Sequence, residues 1–172
     1  HHSAGYEIIA SPELFIAAAI ERTRHIRLGT GVSSLPYHQP LMLADRINQL
    51  DHQSRGRVMF GVGPGALPSD AFMMGIEVPK QRDMMDEAIG VLVPLLRGET
   101  VTHDSDWFTL KDARLQLAPY TRPHIEICVA SQVSPAGARA AGKHGLGLLS
   151  IGATSTGGFN ALAMNWQICT EK

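Results

Sequence analysis

The stretch Ala130-Ser131-Gln132-Val133-Ser134-Pro135 places two hydroxyls just ahead of a helix start. Hydroxyls and the free backbone N–H groups of a helix N-terminus suit a phosphate. A simple helix cap at Ser134 is the competing reading. A second stretch, Gly61-Val62-Gly63-Pro64-Gly65, has three glycines but lacks dinucleotide-fingerprint spacing, and no helix follows it directly. Close approach of backbone to a flat ligand is the more economical use of these glycines. No Gly-x-Ser-x-Gly elbow is present. The histidines lie mostly on loops without carboxylate neighbours, whereas a metallohydrolase would pair His with Asp or Glu at several strand ends. Beyond His1 and His2 they read as surface or structural groups. Asp51 reads as a buried structural acid tying a helix end to the next strand.

These residues must be positioned by alternating strands and helices. Ser11-Pro12-Glu13 starts a helix to about Arg24, by capping hydroxyl, first-turn proline and acid at the positive end. A strand over residues 26–33 follows, then a helix from Pro40 with Leu43, Ala44, Ile47 and Leu50 at helical spacing, ended by Gly56. Residues 57–63 are an apolar strand, and Pro64 to Gly75 a loop. A helix from about Lys80 to Arg97 holds Pro94, which should kink or shorten it. Residues 100–117 read as a β-excursion. Strands at 125–130 and 146–151 are each followed by a helix. Apolar strands separated by helices imply an α/β fold with a covered parallel sheet. Right-handed crossovers leave an open doubly wound sheet or a barrel. In either, ligands bind at the C-terminal strand ends. The rim there is rich in Gly, Ser and Thr: Ser33 and Tyr37, then Gly63 and Ser69, then Ser131 and Ser134.

Composition narrows the classes. The chain has 172 residues, 15 Lys and Arg against 16 Asp and Glu, and a net charge of −1, without the basic surplus of a nucleic-acid binder. A hydrophobic content of 44% with 18% charged residues excludes disorder. Two distant cysteines, Cys128 and Cys169, read as buried thiols with no disulfide framework or zinc spacing. A reducing compartment, hence the cytoplasm, is expected, since no secretory signal is visible. Residues 145–170 are charge-free and long enough to cross a membrane. Their middle, from Gly152 to Gly158, is loop chemistry, so no membrane helix is expected. The chain opens on His1-His2 without methionine, which reads as a fragment. Four βα units are half of an eightfold barrel.

Four blocks together carry a resemblance: Leu28-Gly29-Thr30-Gly31-Val32, Leu35-Pro36-Tyr37-His38-Gln39-Pro40, Leu50-Asp51 through Gly56-Arg57, and Phe60-Gly61-Val62-Gly63. The combination, from His1 to about Ile168, resembles the bacterial luciferase-like family of flavin-dependent monooxygenases, with limonene-monooxygenase-like members nearest in look. No single block is specific. The resemblance implies a (β/α)8 TIM barrel of which this chain covers about half, strands three to six. Residues 1–172 would form a partial luciferase-like TIM-barrel domain, its β-excursion at about 100–117 matching a family insertion before strand five. The implied cofactor is reduced FMN from a separate flavin reductase, or in a sister group a deazaflavin. The implied reaction uses O2 to oxygenate a small apolar organic substrate.

The resemblance also assigns residues. It gives His1 the place of a catalytic histidine, the first of the family's Glu-His-His segment. It places Gly31 and Val32 at an often-cis peptide behind the flavin ring, and Gly63 beside the isoalloxazine. Ala130, Ser131 and Ser134 fall on the phosphate segment, in agreement with the reading from residue types. Pro64 departs from the pattern: luciferases proper hold the phosphate with an arginine there, and proline offers neither charge nor N–H. No metal is implied. The alternatives are a deazaflavin-dependent hydride-transfer oxidoreductase on the same barrel and a non-catalytic flavin-binding relative with a trimmed barrel. Expected partners are the small-molecule substrate, O2 and the flavin reductase, with no nucleic acid and no membrane; a homo- or heterodimer is the expected assembly.

Overall fold

Three prolines open helices, at a position where the missing N–H has no partner to lose. Pro12 starts α1 (Pro12–Arg22), Pro40 starts α2 (Pro40–Ser54) and Pro68 starts α3 (Pro68–Met73). The computed structural model describes residues 1–5 and 7–171. Between and after these helices come β1 (Leu28–Ser34), β2 (Val58–Gly63), α4 (Gln81–Leu96), β3 (Val101–Asp104) and β4 (Thr109–Ala113). The chain continues with β5 (Glu126–Ser131), α5 (Ala136–His144), β6 (Gly147–Ser150) and α6 (Thr156–Thr170).

Four strands form one parallel sheet in the order β1-β2-β5-β6. The strand pair β3-β4 is a separate antiparallel hairpin between α4 and β5. Strand residues alternate between two faces. Val58, Phe60 and Val62 are buried in one continuous core with Leu43 and Ile47 of α2 and Ile89 and Leu92 of α4. Met59, Gly61 and Gly63 therefore belong to the opposite face. The helices cover the first face, and the C-terminal strand ends share one rim. The Gly31–Val32 peptide is cis, and the β1–β2 register shifts between Thr30 and Ser33, around that bond. Among the described residues no helix is long and apolar enough to cross a membrane.

Several expectations need correction. The Pro64–Gly75 stretch is not all loop, because α3 occupies its second half. Asp70 and Ala71 are the inward positions that hold that short helix down. Pro94 lies within α4, and the helix ends two residues later, at Leu96. Cys128 and Cys169 are free but only partly buried. Asp51 is buried as expected, yet it does not tie its helix to the next strand. It accepts from Thr121 N–H at 2.9 Å and Thr121 Oγ1 at 3.0 Å, fastening α2 to the segment ahead of β5. Gly61 serves the protein's own backbone rather than a ligand: a Cβ there would collide with the Thr30 carbonyl.

Candidate functional site

The rim at the strand ends surrounds a cavity of about 990 Å3, at the upper end of the size range of small-molecule sites. All seven residues singled out from the sequence line it. Gly31, Val32 and Gly63 come from β1 and β2, Ala130, Ser131 and Ser134 from the end of β5 and its loop, and His1 from the chain start. Gly31 is exposed, and a Cβ on it would meet no atom within 4 Å. The wall there is bare backbone, open to a flat ligand. Ile8, Ile9 and Phe15 add an apolar side.

Along the lining after β5 the chemistry changes. Ser131 Oγ donates to the Ser134 carbonyl at a long 3.4 Å, and Ser134 Oγ accepts from Ala136 N–H at the same length. Ser134 is not the helix cap. That position belongs to Pro135, which makes no side-chain cap bond, so the first turn of α5 faces the cavity rim with weakly engaged donors. Gly137 of that turn also lines the cavity. Arg82, exposed in the first turn of α4, is the Arg or Lys side chain in the lining. Strand-end reasoning missed it because it sits on a helix that α3 separates from β2. Its adjacency to the start of a strongly periodic helix was the available signal.

Three of the eight histidines do find carboxylates, an exception to the sequence reading that most of them lack such neighbours. The partners are remote in sequence: Asp70 for His1, Glu87 for His103 and Asp86 for His144. His1 Nδ1 lies 3.3 Å from Asp70 Oδ2, and Nε2 lies 3.5 Å from Glu7 Oε2. Asp70 is 1% exposed and is held in turn by Ser3 Oγ–H at 2.5 Å and His2 N–H at 3.2 Å, both on Oδ1. Burial pushes the Asp70 carboxyl up, but the hydrogen bonds from Ser3 and His2 outweigh it and hold it below its ordinary value of 3.8. His38, on the β1–α2 loop, also lines the cavity. Burial is the main cause of its lowered pKa; the Glu13 charge opposes the shift, and Arg46 and His2 add to it. No group of three or more His, Cys, Asp or Glu is placed to hold a metal among the described residues.

The Asp70 contacts have a checkable consequence. A depressed carboxyl contributes stability that is full above about pH 4 and is lost as pH falls through the folded value. Urea unfolding at pH 6 and pH 3 should therefore show an acid-side loss. Asp70→Asn should be less stable than the parent at pH 6 and show a smaller further loss at pH 3. Equal acid sensitivity in both proteins would remove Asp70 from this role.

A parallel βα sheet with a glycine-walled cavity of small-molecule size at its strand ends defines an α/β domain of the class that places its sites at the C-terminal strand ends. Residues 1–167 match the family model described as luciferase-like monooxygenase, and the chain belongs to that family. It is 53% identical over 171 residues, 99% of this chain and 44% of the relative, to limonene 1,2-monooxygenase of Rhodococcus erythropolis. It is 51% identical over 170 residues, 97% of this chain and 46% of the relative, to 4-hydroxyprotoasukamycin monooxygenase of Streptomyces nodosus subsp. asukaensis. Among solved structures, the oxygenating constituent of 3,6-diketocamphane monooxygenase from Pseudomonas putida, in complex with FMN, superposes with a TM-score of 0.80. That match has 28% identity and covers 99% of this chain and 50% of the other. The chain spans about half the length of the curated relatives it matches.

Proposed function

We propose that this chain is the flavin-binding part of an FMN-dependent monooxygenase that oxygenates a small apolar organic molecule. The observation that carries the reading is the cavity itself, whose lining combines bare backbone at Gly31, the hydroxyls and helix start after β5, and the Arg82 side chain. A flat ring with a phosphate tail fits that combination. Its relatives are named as monooxygenases, one of them for limonene, and a structural neighbour holds FMN. Reduced FMN, brought by a separate reductase, would supply the two electrons by which O2 gives one oxygen to the substrate and one to water.

The chain's own residues would bind, orient and exclude water. Gly31, Val32 and Gly63 would lie along the ring. Ala130, Ser131 and Ser134, with Arg82 and the start of α5, would hold the phosphate. Arg82 supplies the charge that Pro64 lacks. Ile8, Ile9 and Phe15 offer an apolar wall to the substrate. His1, oriented by Asp70, would hold or move a proton beside the ring. In this reading residues 1–172 are part of a luciferase-like TIM barrel, and β1, β2, β5 and β6 are its strands three to six. A homo- or heterodimer in the cytoplasm completes the reading, and two free cysteines suit a reducing compartment.

Two measurements test it. With reduced FMN, 18O2 and a panel of small apolar compounds, one labelled oxygen should appear in the product. Hydride transfer from a reduced deazaflavin, with no O2 consumed, would instead favour the deazaflavin enzyme. Flavin binding without turnover would leave a non-catalytic relative. Separately, Ser131→Ala with Ser134→Ala should weaken FMN binding about tenfold, or about 1.4 kcal/mol. Unchanged affinity would reduce both serines to local backbone bonding.

A further inference from the structure

Gln81 is the first residue of α4 and is 4% exposed. Its carboxamide nitrogen uses both hydrogens inside the fold. Nε2 donates to Tyr37 Oη at 2.9 Å and to the Pro64 carbonyl at 2.9 Å. Tyr37 belongs to the loop after β1, and Pro64 to the loop after β2. Gly65 lies against the same pair. Its φ is +94°, and a Cβ there would stand 2.6 Å from Gln81 Nε2 and collide with Tyr37 Oη. The Tyr37 ring in turn meets the His2 ring edge-on, with centroids 6.1 Å apart. Burial is the main influence raising the Tyr37 pKa, which keeps the phenol protonated as a neutral neighbour.

Residues 63–66 form a stretch of the cavity wall. No other hydrogen bond to residues 64–66 is found among the described residues. The loop has no regular structure of its own, a proline without N–H, and a glycine in the left-handed region. Its hydrogen-bonded tether is one buried side chain from the start of α4, directly before Arg82. Two donors of one planar NH2 group also fix the plane of the carboxamide, so the constraint is directional.

We propose that Gln81 is a positioning residue of the site: its carboxamide holds the Pro64–Ala66 loop, with Tyr37, as a preformed wall of the cavity. The ring of the bound ligand then meets a fixed surface rather than one it must order, and ordering costs affinity. The ligand's identity in this statement rests on the FMN reading above; the holding of the loop does not.

The test uses Gln81→Leu, which removes both donors at similar volume, and Gln81→Glu. The glutamate keeps an acceptor for the Tyr37 hydroxyl but faces the Pro64 carbonyl with an oxygen. Elastase cleavage of the ligand-free chain is followed by mass at residues 66–67 and, as an internal control, at residues 151–153. FMN and riboflavin are then titrated by fluorescence quenching. Both variants should be cleaved about tenfold faster at 66–67 with no change at 151–153. Both flavins should bind about tenfold more weakly, by the same factor, because the loop faces the ring they share. Tyr37→Phe, which leaves the Pro64 bond in place, should show a smaller effect of the same kind.

Unchanged cleavage at 66–67 in Gln81→Glu overturns the proposal. So does equal acceleration at both segments, which would mark a general loss of stability. A loss for FMN larger than that for riboflavin would move the effect to Arg82 and overturn the loop assignment. If the parent chain binds neither flavin, the FMN reading fails, while the cleavage ratio still decides the role of Gln81.

Discussion

His1→Ala should lower coupled substrate turnover by about 10²-fold or more while leaving reduced FMN bound. A factor of that order is the usual contribution of a positioned acid or base. An imidazole changes charge near neutral pH, which suits a group that both takes and returns a proton. The geometry favours this use of His1. Its ring lines the cavity, Nδ1 is directed at Asp70, and Asp70 is fixed by two further donors from the same segment. A side chain held this way costs little to orient when a ligand arrives. With the imidazole gone, O2 should still be consumed, but a larger share should leave as H2O2. The measurements are product formed per O2 consumed, together with the Kd for reduced flavin. A structural His1 gives a different pattern: lower thermal stability with near-normal coupled turnover per folded molecule. That outcome would take His1 off the catalytic list and leave the flavin-binding reading standing.

Much of the scaffold could be read from local pattern. The apolar runs of β2 and β5 and the helical spacing of Leu43, Ile47 and Leu50 point to buried strands and a half-buried helix, and the structure packs them so. Short-range chemistry also put Ser131 and Ser134 beside a helix start, where the cavity lies. What stayed hidden depends on contacts between remote residues. The Asp70 partners of the chain start are 67 to 69 positions away, and α3, which carries Asp70, looked like a loop because Gly, Pro and Ser surround it. The demand on Gly61 was legible as a need for a missing Cβ, but not whose atoms would fill the space. The Thr30 carbonyl does so, and its position depends on the register shift in β1. Arg82 and Gln81 escaped notice because polar residues opening a helix are ordinary; only the folded chain shows one facing a cavity and the other buried beneath a loop.

Arg82→Ala should weaken FMN binding by about 10- to 100-fold and leave riboflavin binding nearly unchanged. The estimate follows from hydrogen bonds to charged groups, which contribute about 1.5–3 kcal/mol, and each 1.4 kcal/mol is about tenfold. The contrast between the two ligands is the decisive part, because they differ only in the phosphate. In this cavity the hydroxyls of Ser131 and Ser134 and the start of α5 are neutral donors, and Pro64 supplies none. In the proposed reading the phosphate charge would then be met chiefly by Arg82. Since the side chain is exposed, salt should screen the interaction. The FMN affinity of the parent should fall between 50 and 500 mM salt, and that of Arg82→Ala should hardly respond. Arg82→Lys should recover part of the affinity, because a lysine keeps the charge but not the two-pronged geometry of a guanidinium. Equal losses for FMN and riboflavin in Arg82→Ala would mean that the arginine supports the fold of α4 rather than the phosphate. The phosphate would then have to be held by the serine loop alone, and the paired serine substitution should show a correspondingly larger loss.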